Sequence, residues 1–315
     1  MKLSLLIPVY NGGDYWRECW DSILKNQDVF DQIFVSINKS PKQEEDVAVV
    51  SSCKLEKLHW IRQERYLAAR DHGEALDRWF SSFHPEGHVF LLCHDDILLR
   101  DGLLKLKELD LKENDAVFGP FRFFFQDGGR KEIRIHEFHR DDVRPLPGEM
   151  FCFLQDQYSY TYNISGTVVP AVLFRLPHAP WHFLSYGCRS ENCHLCNPYV
   201  KRIWQTDEST VKIRTHSGSE GSRQPTAGMQ YDTMVYLLSA FATYRRPYLR
   251  LGLMRSLGYT IRTSPLRGIG YFLLLQIRLT GLGYYYPEAL KIYGYLLRIV
   301  GGKAVNLLKR IFRMR

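Results

Sequence analysis

The sequence predicts an α/β fold, a mostly parallel sheet flanked by helices, followed by a basic α-helical C-terminal region. Three observations carry that expectation. Short apolar runs alternate with amphipathic stretches over the first part of the chain, as in βαβ units. The runs are apolar almost throughout, as for strands buried on both faces. Charge is also unevenly divided. Residues 241–315 hold 14 Lys and Arg against one acid, Glu288, a net of +13; the whole chain is +8, so residues 1–240 stand at −5.

Each element follows from its own pattern. "LSLLIPVY" (3–10) is a buried strand, and "NGGD" after it is a turn with Asp14 as helix cap. "YWRECWDSILKN" (15–26) spaces Trp16, Trp20, Ile23 and Leu24 as a helix does. "QIFVSIN" (32–38) is the second strand, "EEDVAVVSSCKLEKL" (44–58) a helix and "LHWIRQ" (58–63) a short third strand. "AARDHGEALDRWFSSF" (68–83) is a helix, and "HVFLLC" (88–93) is a fourth strand that runs into Asp95 and Asp96. Open α/β sheets bind ligands outside the carboxyl ends of their strands. That rule sets Tyr10–Asn11, Asn38–Lys39 and Asp95–Asp96 on one rim. Carboxylates at the end of an apolar strand need a partner. Either they cap a helix N-terminus, or they hold a metal or phosphate; their place on the ligand rim favours the second.

Composition bounds the rest. At 315 residues, 45% hydrophobic and 24% charged, the chain is globular material, enough for one large domain or a domain plus an appendage. The opening apolar run is broken by Pro8, too short for a signal-peptide core. Seven cysteines without secretory context predict reduced thiols and a cytoplasmic location. No stretch reaches the roughly 18 apolar residues of a membrane span. The tail is too rich in Leu, Ile, Tyr and Phe to be disordered by composition. "YGYLLRIVGGKAVNLLKRIFRMR" mixes apolar residues at helical spacing with Arg298, Lys303, Lys309, Arg310, Arg313 and Arg315. A basic amphipathic helix of this kind reads as binding an anionic membrane surface. A helical bundle with a solvated basic face is the plain alternative. Nucleic acid is disfavoured, for no recognised nucleic-acid motif accompanies the charge.

"LSLLIPVYNGGDYWRECWDSIL" and "LLCHDDILL" together resemble the family 2 glycosyltransferases, inverting nucleotide-sugar enzymes of the GT-A fold. The resemblance covers about residues 1–220, and it implies a domain layout and a set of site residues. Residues 1–225 would form the catalytic domain, with a nucleotide-binding half at 1–100 and an acceptor half at 101–225. Residues 226–315 would be the helical, basic, membrane-associating region. Pro8, Tyr10 and Asn11 would line the nucleoside site. "LAARDHGEAL" resembles the family's Ala-Arg-Asn-x-Gly segment, so Arg70 would reach the nucleotide, with Asp71 where Asn is usual. The second strand ends in Asn38 where the family often has an Asp that reads the base; an amide can also bond a uracil edge. Asp96 would ligate Mn²⁺ or Mg²⁺, and Asp95 would hold the ribose or a metal-bound water; His94 is strand-end filler. A divalent ion suits the diphosphate charge, and such ions take carboxylate and phosphate oxygens.

The second half supplies further candidates by the same resemblance. "NISGTVVPAVLF" (163–174) resembles the acceptor-side strand, with a small-residue turn at Ser165–Gly166. In "YGCRSENCHLCN" (186–197) the family's acidic pair is reduced to Glu191 and Asn192. Glu191 is then the candidate base that takes the acceptor hydroxyl's proton; its plain alternative is an acid near a helix N-terminus. "IRTHSGSEGS" (213–222) resembles the family's Arg-x-His and loop. His216 would be a third metal ligand or a phosphate contact, and Arg214 a phosphate contact. Cys188, Cys193 and Cys196 could form a structural zinc site, but the second half of a typical zinc pattern is absent. The expected function is transfer of a sugar from a UDP-type donor to a glycan acceptor, lipid-linked, in bacterial surface-polysaccharide synthesis. The enzyme would sit peripherally on the inner face of the cell membrane. The rival reading is a membrane-associated scaffold whose transferase domain has degenerated.

Overall fold

The computed structural model describes residues 1–118, 121–125, 133–135, 165–176, 199–206 and 208–216. These belong to one compact unit, Met1–Gln224; Pro225–Arg315 is a second. That second unit lies outside the described residues, as do Glu191, Cys188, Cys193, Cys196 and the side chain of Arg70.

In chain order the elements are β1 (Leu3–Val9), α1 (Asp14–Lys25), β2 (Gln32–Ile37), α2 (Gln43–Ser51), β3 (Leu58–Arg62), α3 (Ala69–Ser81) and β4 (His88–Leu91). Then come β5 (Ile97–Leu98), α4 (Arg100–Glu108), β6 (Asp115–Phe118), β7 (Phe121–Phe125), β8 (Ile133–Ile135), β9 (Val168–Pro170), β10 (Arg202–Gln205) and β11 (Val211–Thr215). Seven strands make one sheet in the order β10-β6-β9-β4-β1-β2-β3. All its pairings are parallel except the two that β9 makes, with β4 and β6. The expected mostly parallel sheet flanked by helices is therefore present.

Alternation along the strands explains how both sheet faces are covered. Ile33 and Val35 of β2 join one buried cluster with Leu5, Ile7 and Val9 of β1 and Trp16, Cys19, Trp20 and Ile23 of α1. Phe34, between them in sequence, packs edge-on against Phe80 of α3 at a centroid distance of 4.8 Å. Full burial of each large apolar side chain contributes about 1.5–3 kcal/mol, so these clusters fix the sheet between its helices.

Two elements differ from their expected extents. The helix expected over 44–58 is α2, Gln43–Ser51 only. Leu58 is taken by the sheet, opposite Ile33 of β2, and a strand pairing cannot share a residue with a helix. Among the described residues of the strand expected over 163–174, only β9 is strand, and Ala171–Phe174 turns instead into a short 3₁₀ helix. Among the described residues no helix is long and apolar enough to cross a membrane.

A second sheet, β5-β11-β7-β8, builds the site. β5 starts directly after Asp96 and pairs antiparallel with β11, with Leu98 opposite Val211 and Ile97 opposite Lys212. Continuing that register brings Arg214 and His216, at the far end of β11, beside the two aspartates.

Candidate active site

The sheet order reverses at β1. The chain runs from β1 to β2 and β3 on one side, then crosses to β4 on the other. Such a switch point opens a crevice beyond the carboxyl ends of the two diverging strands. The loop after β1 (Tyr10–Gly13) and the loop after β4 (Leu92–Asp96) meet there. A Cβ placed on Gly12 would lie 3.1 Å from Cδ2 of His94 and 2.6 Å from Cβ of Trp16. Glycine is therefore required, and His94 is packing material in this contact.

The loop after β1 is held from outside. Gly12 N–H donates to Oδ2 of Asp46 at 3.1 Å and Gly13 N–H to Oδ1 at 2.8 Å. Asp46 is fully buried on α2. Gly13, with φ of 54°, precedes α1, and Asp14 is the helix's first residue with no side-chain capping bond. Asp14 thus lends charge to the helix N-terminus but is not the cap the sequence led us to expect. Asn11 also has φ of 54°. Tyr10 is 45% exposed, and its ring lies 5.8 Å from that of Tyr66. Pro8 lies within β1 opposite Ser36.

The two aspartates are not equivalent. Asp96 is 2% exposed. Its Oδ1 accepts from Arg214 N–H at 2.8 Å, and its Oδ2 accepts from the Ser165 hydroxyl. That hydroxyl in turn accepts from Cys93 N–H at 2.8 Å. Burial, reinforced by the negative charge of Asp95, pushes the Asp96 carboxyl well above the ordinary carboxylate range. Asp95 is only partly buried, and its Oδ2 lies 3.3 Å from Nε2 of His216. The sequence assigned direct cation contact to Asp96 and a supporting role to Asp95. The structure engages both Asp96 oxygens internally and turns Asp95 toward His216.

Arg214 sits elsewhere than at an open phosphate site. Its side chain is 1% exposed. Nε donates to the carbonyl of Asp95 at 2.8 Å and Nη2 to Oε2 of Glu18 at 2.6 Å. The guanidinium lies 4.6 Å over the ring of Tyr15 and 4.7 Å over that of Phe124. It clamps the Asp95–Asp96 turn to α1. Asn38 is likewise buried. Its Nδ2 donates to Leu67 O at 2.7 Å, and its Oδ1 accepts from Leu67 N–H at 3.0 Å and Lys39 N–H at 2.9 Å. It ties the end of β2 to the segment before α3.

Metal-ligating atoms of Cys93, Asp95 and Asp96 lie within 4.8 Å of one another. Two ligands at about 2.1 Å from a common ion are about 3.0 Å apart at a right angle and about 3.4 Å apart at the tetrahedral angle. Asp95 and His216 are in direct hydrogen-bond contact at 3.3 Å, a spacing that two donors of one divalent cation, a carboxylate and an imidazole, also take. Sequence reading missed Asp46, Glu18, Tyr15 and Cys93. Glu18 and Arg214 are 196 residues apart, and nothing local marks them as partners.

Comparison with solved structures decides the fold. The chain superimposes on S. aureus TarS 1-349 with a TM-score of 0.56 at 15% identity, covering 95% of this chain and 81% of that one. The chain has the GT-A fold. A longer S. aureus TarS structure matches with a TM-score of 0.52 at 14% identity, over 86% of this chain but only 50% of that one. The chain thus spans half of that longer GT-A neighbour. A structure of GalNAc-T7 with UDP, GalNAc and Mn²⁺ matches with a TM-score of 0.49 at 12% identity, over 79% of this chain and 52% of that one. No family model matches the sequence, and neither does any curated protein.

Proposed function

We propose that the chain is an inverting glycosyltransferase that moves a sugar from a nucleotide diphosphate, UDP, to a glycan acceptor. The observation that supports this most is the Asp95–His216 pair, 3.3 Å apart, at the switch point of a GT-A sheet. Asp95 and His216 are the residues that would hold Mn²⁺ or Mg²⁺. When bound, such an ion neutralises the diphosphate and the charge that develops as it leaves. Asp96 acts one step back, orienting the turn through Ser165 and Arg214 N–H. Tyr10 and Asn11, beyond β1, face the nucleoside; Pro8 shapes that strand end. Arg70, at the start of α3, is assigned to the diphosphate. Asn38 serves the nucleotide pocket by fixing Leu67.

In the reaction the acceptor oxygen attacks the anomeric carbon, the bond from that carbon to the β-phosphate oxygen breaks, and UDP departs with the electron pair. Glu191 takes the acceptor's proton. The basic residues of 241–315 favour a lipid-linked acceptor at the cytoplasmic face of an anionic membrane, in surface-polysaccharide synthesis.

Calorimetric titration with UDP tests the donor half. Binding should require Mn²⁺ or Mg²⁺ and disappear in Asp95→Asn. Absence of cation-dependent UDP binding in the native chain would favour a scaffold with a degenerate transferase domain. Glu191→Gln should retain UDP affinity while transfer slows by roughly 10²–10⁴-fold, the usual share of a general base. A fall in UDP affinity in step with rate would move Glu191 to a donor-binding role.

A further inference from the structure

We propose that Cys93 sets the metal preference of this site, making it thiophilic: the sulfur of Cys93 and a carboxylate oxygen of Asp95 together take Zn²⁺, Co²⁺ or Cd²⁺ in preference to Mg²⁺. The inference rests on the cation-site reading above and goes beyond it by naming the residue that chooses the ion. Cys93 is only partly buried, and its sulfur lies within 4.8 Å of the oxygens of Asp95 and Asp96. A thiolate and a carboxylate at about 2.3 and 2.1 Å from one ion are about 3.6 Å apart at the tetrahedral angle, so closing the pair on an ion takes a side-chain shift of at most about 1.2 Å. Asp96 competes less for the ion, because each of its oxygens already accepts a hydrogen bond, from Ser165 and from Arg214 N–H, and keeps only its second lone pair. His216 touches Asp95 at 3.3 Å but is not part of the Cys93–Asp95–Asp96 cluster, so the remaining positions on the ion fall to water or substrate.

Donor chemistry then decides between ions. Mg²⁺ seeks oxygen ligands and keeps its waters, whereas zinc-group and late transition ions accept sulfur and imidazole. An all-oxygen site would discriminate little on softness; a site with one thiolate does. Binding balances as one divalent ion in and one thiol proton out, because the thiolate is the ligand.

Two measurements test this. The first is Co²⁺ or Cd²⁺ titration of the full chain with Cys188, Cys193 and Cys196 replaced by Ser, which removes the other candidate thiol cluster. A thiolate-to-metal charge-transfer absorption should saturate at one equivalent and vanish on adding Cys93→Ser. Loss of a ligand should cost at least the roughly 10–100-fold that supporting residues cost. Cd²⁺ affinity should therefore fall by at least about tenfold on Cys93→Ser, while Mg²⁺ affinity stays nearly constant. The second needs no variant: Cd²⁺, but not Mg²⁺ at equal occupancy, should slow alkylation of Cys93 as mapped on peptides of the native chain. Unchanged absorption and affinity in Cys93→Ser, or equal alkylation with and without Cd²⁺, overturns the proposal. The outcomes separate from those of the functional reading. Cys93-dependent Cd²⁺ binding without UDP binding supports this site and sinks the transferase; Mn²⁺-dependent UDP binding without a Cys93 signal does the reverse.

Discussion

At the scale of single residues, the adjacent aspartates divide their labour by burial. Asp96 satisfies the Ser165 hydroxyl and the Arg214 N–H, so Asp96→Ala strands two buried donors. A stranded buried donor costs about 1–3 kcal/mol, and the variant should show a clearly lower denaturation midpoint. Asp95→Ala removes a partly exposed carboxylate and should leave that midpoint nearly unchanged while abolishing cation binding. Urea unfolding alongside Mn²⁺ titration of both variants checks the pair. If Asp96→Ala unfolds like the native chain and only then loses its cation, Asp96 is the direct ligand after all. The sequence located these residues but could not rank them. "HDD" marks a carboxylate site, whereas the difference between Asp95 and Asp96 depends on Ser165 and Arg214, 69 and 118 residues from Asp96. Arg214 shows the same limit. The resemblance of "IRTHSGSEGS" to the family's Arg-x-His implies that it is a phosphate contact, but Glu18, Tyr15 and Phe124 enclose its guanidinium.

At the scale of elements, α2 does more than cover the sheet. Its Asp46 closes the loop after β1 through Gly12 and Gly13. Asp46→Ala should lower stability by about 1–3 kcal/mol for each N–H it strands. It should also weaken UDP binding, because the freed loop carries Tyr10 and Asn11. Asp46→Asn, which keeps one acceptor, should lie between. Native-like UDP affinity in Asp46→Ala would show that the loop holds its shape without α2. β4 predicts a pH effect. His88 is buried, and its Nε2 lies 3.0 Å from the carbonyl of Asp115. Burial holds its pKa below the ordinary 6.5. Below that ordinary value the unfolded chain binds a proton that the folded chain refuses, so stability falls as pH drops from about 6.5 toward the folded value. His88→Gln should flatten this slope in urea midpoints measured from pH 7 to pH 5. Strand and helix order in the first hundred residues was legible because each apolar run there is local. β9 was legible as apolar but not in extent or direction, since its antiparallel place between β4 and β6 is a tertiary choice.

At the scale of the whole molecule, charge is segregated along the chain. Residues 241–315 carry +13, against −5 for the 240 residues before them. Anionic lipid attracts each nearby Lys or Arg by about 1 kcal/mol, and burying the apolar face of a basic amphipathic helix adds a term that salt does not screen. On the proposed function, a chain whose described residues include no membrane-spanning helix would by this means be held beside a lipid-linked acceptor. Deleting residues 301–315 removes Lys303, Lys309, Arg310, Arg313 and Arg315. The deletion should weaken flotation with anionic vesicles while UDP binding persists. Activity on a soluble acceptor analogue should survive the deletion better than activity on a lipid-linked one. Raising salt should loosen the native chain from vesicles, because the Debye length shrinks from about 8 Å at physiological strength to about 3 Å at 1 M. Equal flotation with neutral and anionic vesicles, indifferent to salt and to the deletion, would make these residues the solvated face of a helical bundle. The acceptor would then have to be sought in solution.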